Sequence, residues 1–169
     1  TDCEDIKNEL GIKDDDTVIT YVSRLDESRS LVAKQLIEAV PEIDKAVNNL
    51  KVIVVGAGDD YDNVKTMAES VNQKLGDVIV LTGARTDINK LIAPCKLFVG
   101  VSRAALEAMA ADKPVIIAGN EGYIGLFDES KLAVGIDTNF CCRGCEMSSS
   151  ELIKRDVLEF FNLDENKQK

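Results

Sequence analysis

The 169-residue sequence contains no histidine, and it lacks both a positive net charge and a long apolar run. Its formal net charge of −10 argues against a nucleic-acid partner, because basic residues supply most of the affinity for a phosphate backbone. No stretch reaches the roughly 18 apolar residues of a transmembrane segment, and the acidic start of the chain lacks the apolar core of a signal peptide. These absences predict a single cytoplasmic domain over residues 1–169.

The five cysteines do not form the pattern of a disulfide-stabilised secreted domain, because their number is odd and their spacing uneven. Three of them lie in the segment FCCRGC, which contains a Cys-x-x-Cys pair. A structural zinc site needs about four ligands, and without histidine the others would have to be distant cysteines or carboxylates. We therefore interpret Cys141, Cys142 and Cys145 as free thiols in a loop, and we expect neither a metal nor a cofactor.

Apolar runs alternate with amphipathic segments from residue 17 to residue 119. The apolar runs predict strands and the amphipathic segments predict helices, the first of which should end at Pro41. Such alternation implies right-handed crossovers and a parallel sheet. The predicted fold class is α/β, a Rossmann-like open parallel sheet with helices on both faces. The predicted strands cover 17–22, 51–56, 77–83, 96–101 and 113–119, and the predicted helices cover 30–40, 62–76, a short segment around 87–93, and 103–111.

The pattern weakens beyond Gly119 and resumes in SSSELIKRDVLEFF, which predicts a helix over 149–161 with a serine as its N-cap. We expect the apolar face of this helix to pack against a second domain, and so to be partly exposed in this chain. That face consists of Leu152, Ile153, Val157, Phe160 and Phe161.

Glycines and arginines cluster in the loops that follow the predicted strands. Ligands of open parallel sheets bind at this edge. Arginine offers phosphate a rigid fork of donors, a helix N-terminus adds N–H groups, and the small residues Gly100 and Ser102 allow close approach of the backbone. The pattern predicts a basic cluster suited to a diphosphate, made of Arg24, Arg29, Arg85 and Arg103.

Two details limit this interpretation. The segment GAGDDY begins like a dinucleotide-binding fingerprint, but Tyr61 stands where its third glycine belongs and no suitable ribose-binding acid follows. We therefore exclude a nicotinamide or flavin site. Glu107 lies four residues after Arg103, a spacing that fits an intrahelical ion pair as well as a ribose-binding carboxylate.

The order of four segments resembles the C-terminal, nucleotide-sugar-binding half of GT-B glycosyltransferases of the family 4, or group 1, type. These segments are GIKDDDTVITYVSRLDESRS, KVIVVGAGDD, VIVLTGARTDINKLIAPCKLFVG and ALEAMAADKPVIIAG, within residues 8–135. The resemblance implies a nucleoside diphosphate sugar (a UDP- or GDP-sugar) as partner and transfer of a hexosyl unit in polysaccharide or glycolipid synthesis.

The resemblance also implies an N-terminal acceptor domain, which is absent from this chain. By itself, the domain is therefore expected to bind a nucleotide without transferring sugar. It has no expected transmembrane segment, and the resemblance leaves open a peripheral membrane association of the intact enzyme.

Three groups of residues match the donor site of that family, and no catalytic residue is assigned. The residues expected to hold the diphosphate are Arg24, Arg29, Gly100, Ser102, Arg103 and Ala104. The residue expected to bind the ribose is Glu107. The residues expected to contact the base through their backbone are Gly83, Ala84, Arg85 and Thr86.

One departure from the family concerns a first glutamate, which faces the transferred sugar and is separated from the ribose-binding glutamate by seven residues. This spacing assigns it to Val99 here. Its loss leaves open two alternatives: a non-catalytic regulatory or interaction domain that keeps the fold, and half of a nucleotide-sugar epimerase. Nucleotide binding would distinguish a donor-binding domain from a pure scaffold.

Overall fold

Strands and helices alternate along the part of the chain that the structure describes. This structure is a computed structural model, and it describes residues 2–27, 30–85, 87–100, 102–119, 122–126 and 149–168. The strands are β1 (Thr17–Val22), β2 (Leu50–Val55), β3 (Ile79–Gly83), β4 (Leu97–Gly100), β5 (Val115–Gly119) and β6 (Gly122–Leu126). The helices are α1 (Asp2–Leu10), α2 (Leu31–Ala46), α3 (Tyr61–Leu75), α4 (Ile88–Ile92), α5 (Ser102–Ala110) and α6 (Ser150–Gln168).

The strands form one sheet in the order β3-β2-β1-β4-β5-β6. The first five strands are parallel, and β6 pairs antiparallel with β5. This confirms the predicted Rossmann-like open parallel sheet. Strand β6 was not predicted, because its short sequence GYIGL contains two glycines, which weaken a strand pattern. The strand order reverses between β1 and β4, which makes the carboxyl ends of these two strands the topological switch point of the sheet.

Helices cover both faces of the sheet, because alternate strand residues point to opposite sides. Tyr21 and Val54 belong to a core formed with α2, α3 and α6. Ile53 and Phe98 belong to the opposite core, formed with α1, α4 and α5. Helix α1 was not predicted, and it contributes Ile6, which is buried against α4 and the sheet.

Helix α2 continues through Pro41 to Ala46, so the predicted end of this helix at Pro41 is wrong. A proline inside a helix removes one backbone hydrogen bond and costs about 3 kcal/mol. The additional turn brings Ile43 into the core, and Val47 follows it there. Burial of two such side chains stabilises the fold by about 3–6 kcal/mol, which offsets the proline.

Helix α6 packs inside this domain, so the prediction that its apolar face is left for a second domain is wrong. Ile153 and Val157 are fully buried, and α2 is the main neighbour of the helix. Ser149 Oγ accepts a hydrogen bond from the backbone N–H of Leu152 at 3.1 Å, which confirms the predicted serine N-cap. The residues of the face that are partly buried against the same core are Leu152, Phe160 and Phe161.

Candidate functional site

The switch point brings together the β1–α2 loop and the start of α5. At residue 100, a Cβ atom would lie 2.8 Å from the fully buried ring of Phe98 and 3.4 Å from the carbonyl oxygen of Val22. Only glycine therefore fits at residue 100, so the carboxyl end of β4 presents backbone atoms without a side chain. The N–H groups in the first turn of α5, which include that of Ala104, have no partner within the helix and lie at its positive end. An anion at this edge would meet donors and a favourable dipole.

Arg24 follows β1 at this same edge. Its side chain is 73% exposed, and its Nε lies 3.8 Å from Oδ2 of Asp26. An exposed ion pair contributes little to stability, so the guanidinium remains available to a ligand. The structure thus places Arg24, Gly100 and Ala104 around one switch point. Arg29 lies outside the described residues, as do the side chains of Ser102 and Arg103.

The β1–α2 loop packs closely against the loop that follows β2. Leu25 N–H donates to the carbonyl of Ala57 at 3.1 Å, and Asp60 N–H donates to the carbonyl of Leu25 at 2.8 Å. A Cβ at Gly56 would lie 1.8 Å from the carbonyl oxygen of Ser23, and its φ of 144° also favours glycine. The glycines of GAGDDY therefore serve this contact between two loops, and not a dinucleotide.

Asp60 is the centre of a polar network beneath the β1–α2 loop, and it is only 4% exposed. Its carboxylate accepts a hydrogen bond from Ser30 Oγ, and Nζ of Lys34 lies 2.6 Å from Oδ2. Asn63 Nδ2 donates to Oδ1 at 2.6 Å. The hydrogen bonds from Lys34, Ser30 and Asn63 lower the pKa of Asp60 to about 2. Sequence analysis missed this residue, although two consecutive acids before a helix were a visible signal.

Two further contacts hold the same loop. Oδ1 of Asp59 accepts the backbone N–H of Glu27 at 2.7 Å. The hydroxyl of Tyr21 donates to Ser23 Oγ at 2.8 Å, and Ser23 donates to the carbonyl of Arg24 at 3.0 Å. Burial raises the pKa of Tyr21 to about 12, so this hydroxyl stays a donor at all physiological pH values. The backbone that carries Arg24 is thus fixed from both sides.

Arg85, in the β3–α4 loop, is enclosed by carboxylates. Its Nη2 lies 2.6 Å from Oδ2 of Asp87, and its Nη1 lies 2.8 Å from Oε1 of Glu9 in α1. Hydrogen bonds to Asp87 and Glu9 raise the pKa of Arg85, and the bond from Arg85 lowers the pKa of Asp87 to about 2. The prediction that Arg85 joins a basic cluster is therefore wrong, because its charge is neutralised within the fold.

The remaining base-contact residues lie in the same loop. Gly83 has a φ of 75°, and its carbonyl accepts hydrogen bonds from Gly56 N–H at 3.0 Å and Thr82 Oγ1 at 2.9 Å. Ala84 is exposed. Thr86 lies outside the described residues. Contact of this loop with a nucleotide base stays a prediction. Ala84 is the exposed residue of the loop that could make such a contact.

Glu107 is exposed and lines a groove of about 750 Å³ between α4 and α5. Ile88 and Asn89, at the start of α4, line the same groove, as does Lys113. The groove therefore joins Glu107 to the helix that follows the predicted base-contact loop. Its two predicted roles, an ion pair with Arg103 or a hydrogen bond to ribose, both stay predictions.

Val99 is fully buried in β4, within the core on the α2 side of the sheet. The spacing from Glu107 assigned the sugar-facing glutamate to this position, but a side chain there points into the core. Strand β4 ends at Gly100 and α5 begins at Ser102, so a single residue connects them. The apolar, buried Val99 therefore offers no acid to a bound sugar, and the match of the family's glutamate to this position stays a prediction.

Within the described ranges, no helix is long and apolar enough to cross a membrane. The same residues contain no cluster of acidic or cysteine side chains that could hold a metal ion. The FCCRGC segment lies outside them. Cys95 is buried, and this burial raises the pKa of its thiol to about 11, so it is not a reactive nucleophile.

An open parallel sheet with a switch-point site is the architecture of one Rossmann-like half of a GT-B glycosyltransferase. Comparison with known families agrees: residues 2–161 match the model of the group 1 glycosyl transferases. The chain therefore belongs to the group 1 glycosyltransferase family.

Individual relatives are distant and longer. EpsD of Bacillus subtilis (strain 168), whose name assigns it to the glycosyltransferases, is 27% identical over an alignment of 124 residues that covers 70% of this chain and 32% of EpsD. Anabaena HepE, solved in complex with UDP-glucose, superposes with a TM-score of 0.65 at 21% identity, over 99% of this chain and 44% of HepE. WaaG, a glycosyltransferase involved in lipopolysaccharide biosynthesis, gives a TM-score of 0.62 at 21% identity, over 96% of this chain and 42% of WaaG. The chain thus spans less than half the length of each of these proteins.

Proposed function

We propose that this chain is the donor-binding domain of a glycosyltransferase and that it binds a nucleoside diphosphate sugar at the carboxyl ends of β1 and β4. The proposal rests on one observation. Arg24, Gly100 and the start of α5 lie at the same switch point of the sheet. Arg24 keeps an exposed guanidinium there, while β4 offers backbone without a side chain. This combination of a forked donor, helix N–H groups and an open edge suits a diphosphate.

Each part of the nucleotide has a place in this arrangement. The diphosphate would lie between Arg24 and the first turn of α5, the ribose against Glu107, and the base against Ala84 in the β3–α4 loop. In sugar transfer, negative charge develops on the departing diphosphate, and donors fixed in advance would stabilise it. HepE supports the class of ligand, since it has been solved with UDP and with UDP-glucose.

The whole enzyme, in this proposal, contains an acceptor domain as its other half and builds a polysaccharide or glycolipid on the cytoplasmic side of a membrane. WaaG and EpsD support the reaction class through their names alone. Because the active site of a GT-B enzyme lies between its two halves, we expect the 169-residue chain to bind nucleotide and to transfer no sugar.

The experiment is a thermal-shift and calorimetric titration of the 169-residue chain with UDP, GDP, ADP, UDP-glucose and NAD. The proposal predicts saturable stabilisation by one nucleoside diphosphate and its sugar derivatives, and none by NAD. A ligand at about 100 times its Kd should stabilise the folded state by about 2.7 kcal/mol. Stabilisation by NAD in preference to the diphosphates would contradict the proposal.

A second candidate is a non-catalytic scaffold that keeps the fold of the family. Val99 favours it, because this buried apolar residue stands where the family carries its sugar-facing glutamate. A folded sample that responds to no nucleotide in the same titration would favour the scaffold over the donor-binding domain.

A further inference from the structure

We propose that Asp60 is a positioning residue for the donor diphosphate, because it fixes the loop that carries Arg24 to the starts of α2 and α3. The inference rests on the proposed function. Asp60 itself touches no ligand in this account and acts through the backbone of the loop.

Asp60 connects the β1–α2 loop to both helices that follow it in space, α2 and α3. Its N–H bonds the carbonyl of Leu25, the residue next to Arg24, at 2.8 Å. Its carboxylate bonds Ser30, where the loop ends, and Lys34, one turn into α2. It also bonds Asn63 in the first turn of α3, at 2.6 Å. Asp60 therefore contacts both ends of the segment that presents Arg24, through its backbone N–H at Leu25 and through its carboxylate at Ser30 and Lys34.

The carboxylate of Asp60 also balances the charge of Lys34. Lys34 lies near the N-terminus of α2, where the helix dipole disfavours a cation. Its ammonium is stable there because Nζ lies 2.6 Å from the Asp60 carboxylate. Without that carboxylate, Lys34 would be an uncompensated positive charge beside the loop, and Ser30 would lose its acceptor. The end of the loop would then lose the contacts of Ser30 and Lys34 that hold it in place.

The close contact between the two loops also prevents the Arg24 loop from moving closer to the loop after β2. A Cβ at Gly58 would lie 2.4 Å from the carbonyl carbon of Leu25, so the two loops are already in the closest contact their backbones allow. A displaced loop has to move away from this contact, and Arg24 moves with it. Displacement of a binding group by about 1 Å can weaken its interaction many-fold.

The test is a double-mutant cycle with UDP as the probe, measured by calorimetry at a temperature where every variant is folded. We expect Asp60→Asn to weaken UDP binding by up to about fivefold in the wild-type background, since it acts only through Arg24. In the Arg24→Ala background it should weaken binding less than about twofold, since there is no guanidinium left to position. Asp62→Asn is the matched control: it removes an exposed acid from the same turn of α3 and should leave the Kd unchanged.

The outcomes are distinguishable. If wild-type protein binds no UDP, the proposed function fails for this nucleotide and the inference fails with it. If wild-type protein binds UDP, then an unchanged Kd in Asp60→Asn, or an equal loss in both backgrounds, overturns the inference alone. A purely structural role predicts one of those two results, together with a lower Tm.

If Asp60→Asn does not fold, two milder variants replace it, since Ser30→Ala and Asn63→Ala each remove one partner of the carboxylate. We expect each to weaken UDP binding by about twofold to fivefold, and less so in the Arg24→Ala background. Unchanged affinity in both variants would overturn the inference.

Discussion

Two arginines at the same edge of the sheet have opposite environments. Arg24 follows β1, is 73% exposed, and has one weak ion pair at 3.8 Å. Arg85 follows β3, is 19% exposed, and is held at 2.6 Å by Asp87 and at 2.8 Å by Glu9. The first arginine leaves most of its side chain exposed to solvent, whereas the second uses its donors to attach α1 to the β3–α4 loop.

The two arginines differ because the carboxylates near them have different partners. Asp59 and Asp60 lie close to the Arg24 loop, but Asp59 accepts a backbone N–H of that loop and Asp60 binds Lys34. Asp59 and Asp60 thus support the backbone of the loop, while the guanidinium of Arg24 stays 73% exposed with Asp26 at 3.8 Å. An arginine near acidic residues is available to an anion only when the fold has given those acids other partners.

The largest expected effect is that of Arg24→Ala on nucleotide affinity. We expect UDP binding to weaken about fivefold to tenfold, because one charge-assisted interaction with the diphosphate is lost. The Tm should change by less than about 1 °C, since the side chain is exposed. Calorimetry and thermal unfolding measure the two quantities.

The matched control for this variant is Lys45→Ala, which removes an exposed positive charge from the last turn of α2, at the other end of that helix. It should leave UDP affinity unchanged. Equal weakening in both variants would show that Arg24 acts only through net charge.

For Arg85→Ala we expect the opposite result, a loss of stability without a selective loss of diphosphate affinity. Loss of the two-carboxylate contact should lower the Tm by about 2–4 °C. The ratio of UDP to UMP affinity should not change, because the donors of this guanidinium are already held by Asp87 and Glu9. Thermal unfolding and paired titrations test this, and a selective loss of UDP over UMP affinity would contradict the contrast between the two arginines.

The pH dependence of stability sharpens the same contrast. The pKa of Asp87 is lowered to about 2 by Arg85, and the pKa of Asp60 is lowered to about 2 by Lys34 and its other partners. On acidification the unfolded chain takes up protons first, so both contributions are present above about pH 4 and are lost between about pH 4 and pH 2. The Tm deficit of Arg85→Ala should therefore be largest near neutral pH and should shrink toward about pH 2. A deficit that is constant over this range would exclude the ion pair as its cause.

The smallest expected effect is that of Glu9→Gln. Glu9 is 55% exposed, so its contact with Arg85 is partly screened by solvent. We expect a fall in Tm of about 1–2 °C and no change in UDP affinity. A loss as large as that of Arg85→Ala would mean that Glu9, rather than Asp87, is the main partner of the guanidinium.

The sequence predicted the features that depend on local pattern. All five parallel strands, the position of Arg24 after β1 and the serine N-cap of α6 follow from apolar periodicity and capping residues. Features that depend on residues distant in the sequence were either not predicted or predicted wrongly. The enclosure of Arg85 requires Glu9, which lies far away in the sequence. The extension of α2 beyond Pro41 requires a core that buries Ile43, and no local signal reports it.

The measurement that tests the central claim most directly is a titration of ¹⁵N-labelled chain with UDP, followed through the backbone amide signals. The account predicts saturable shifts at Arg24, at Gly100 and in the first turn of α5, with smaller shifts at Ala84. It predicts none at the opposite edge of the sheet, around Lys45. Saturable shifts confined to residues away from the carboxyl ends of β1 and β4 would contradict a donor site at the switch point.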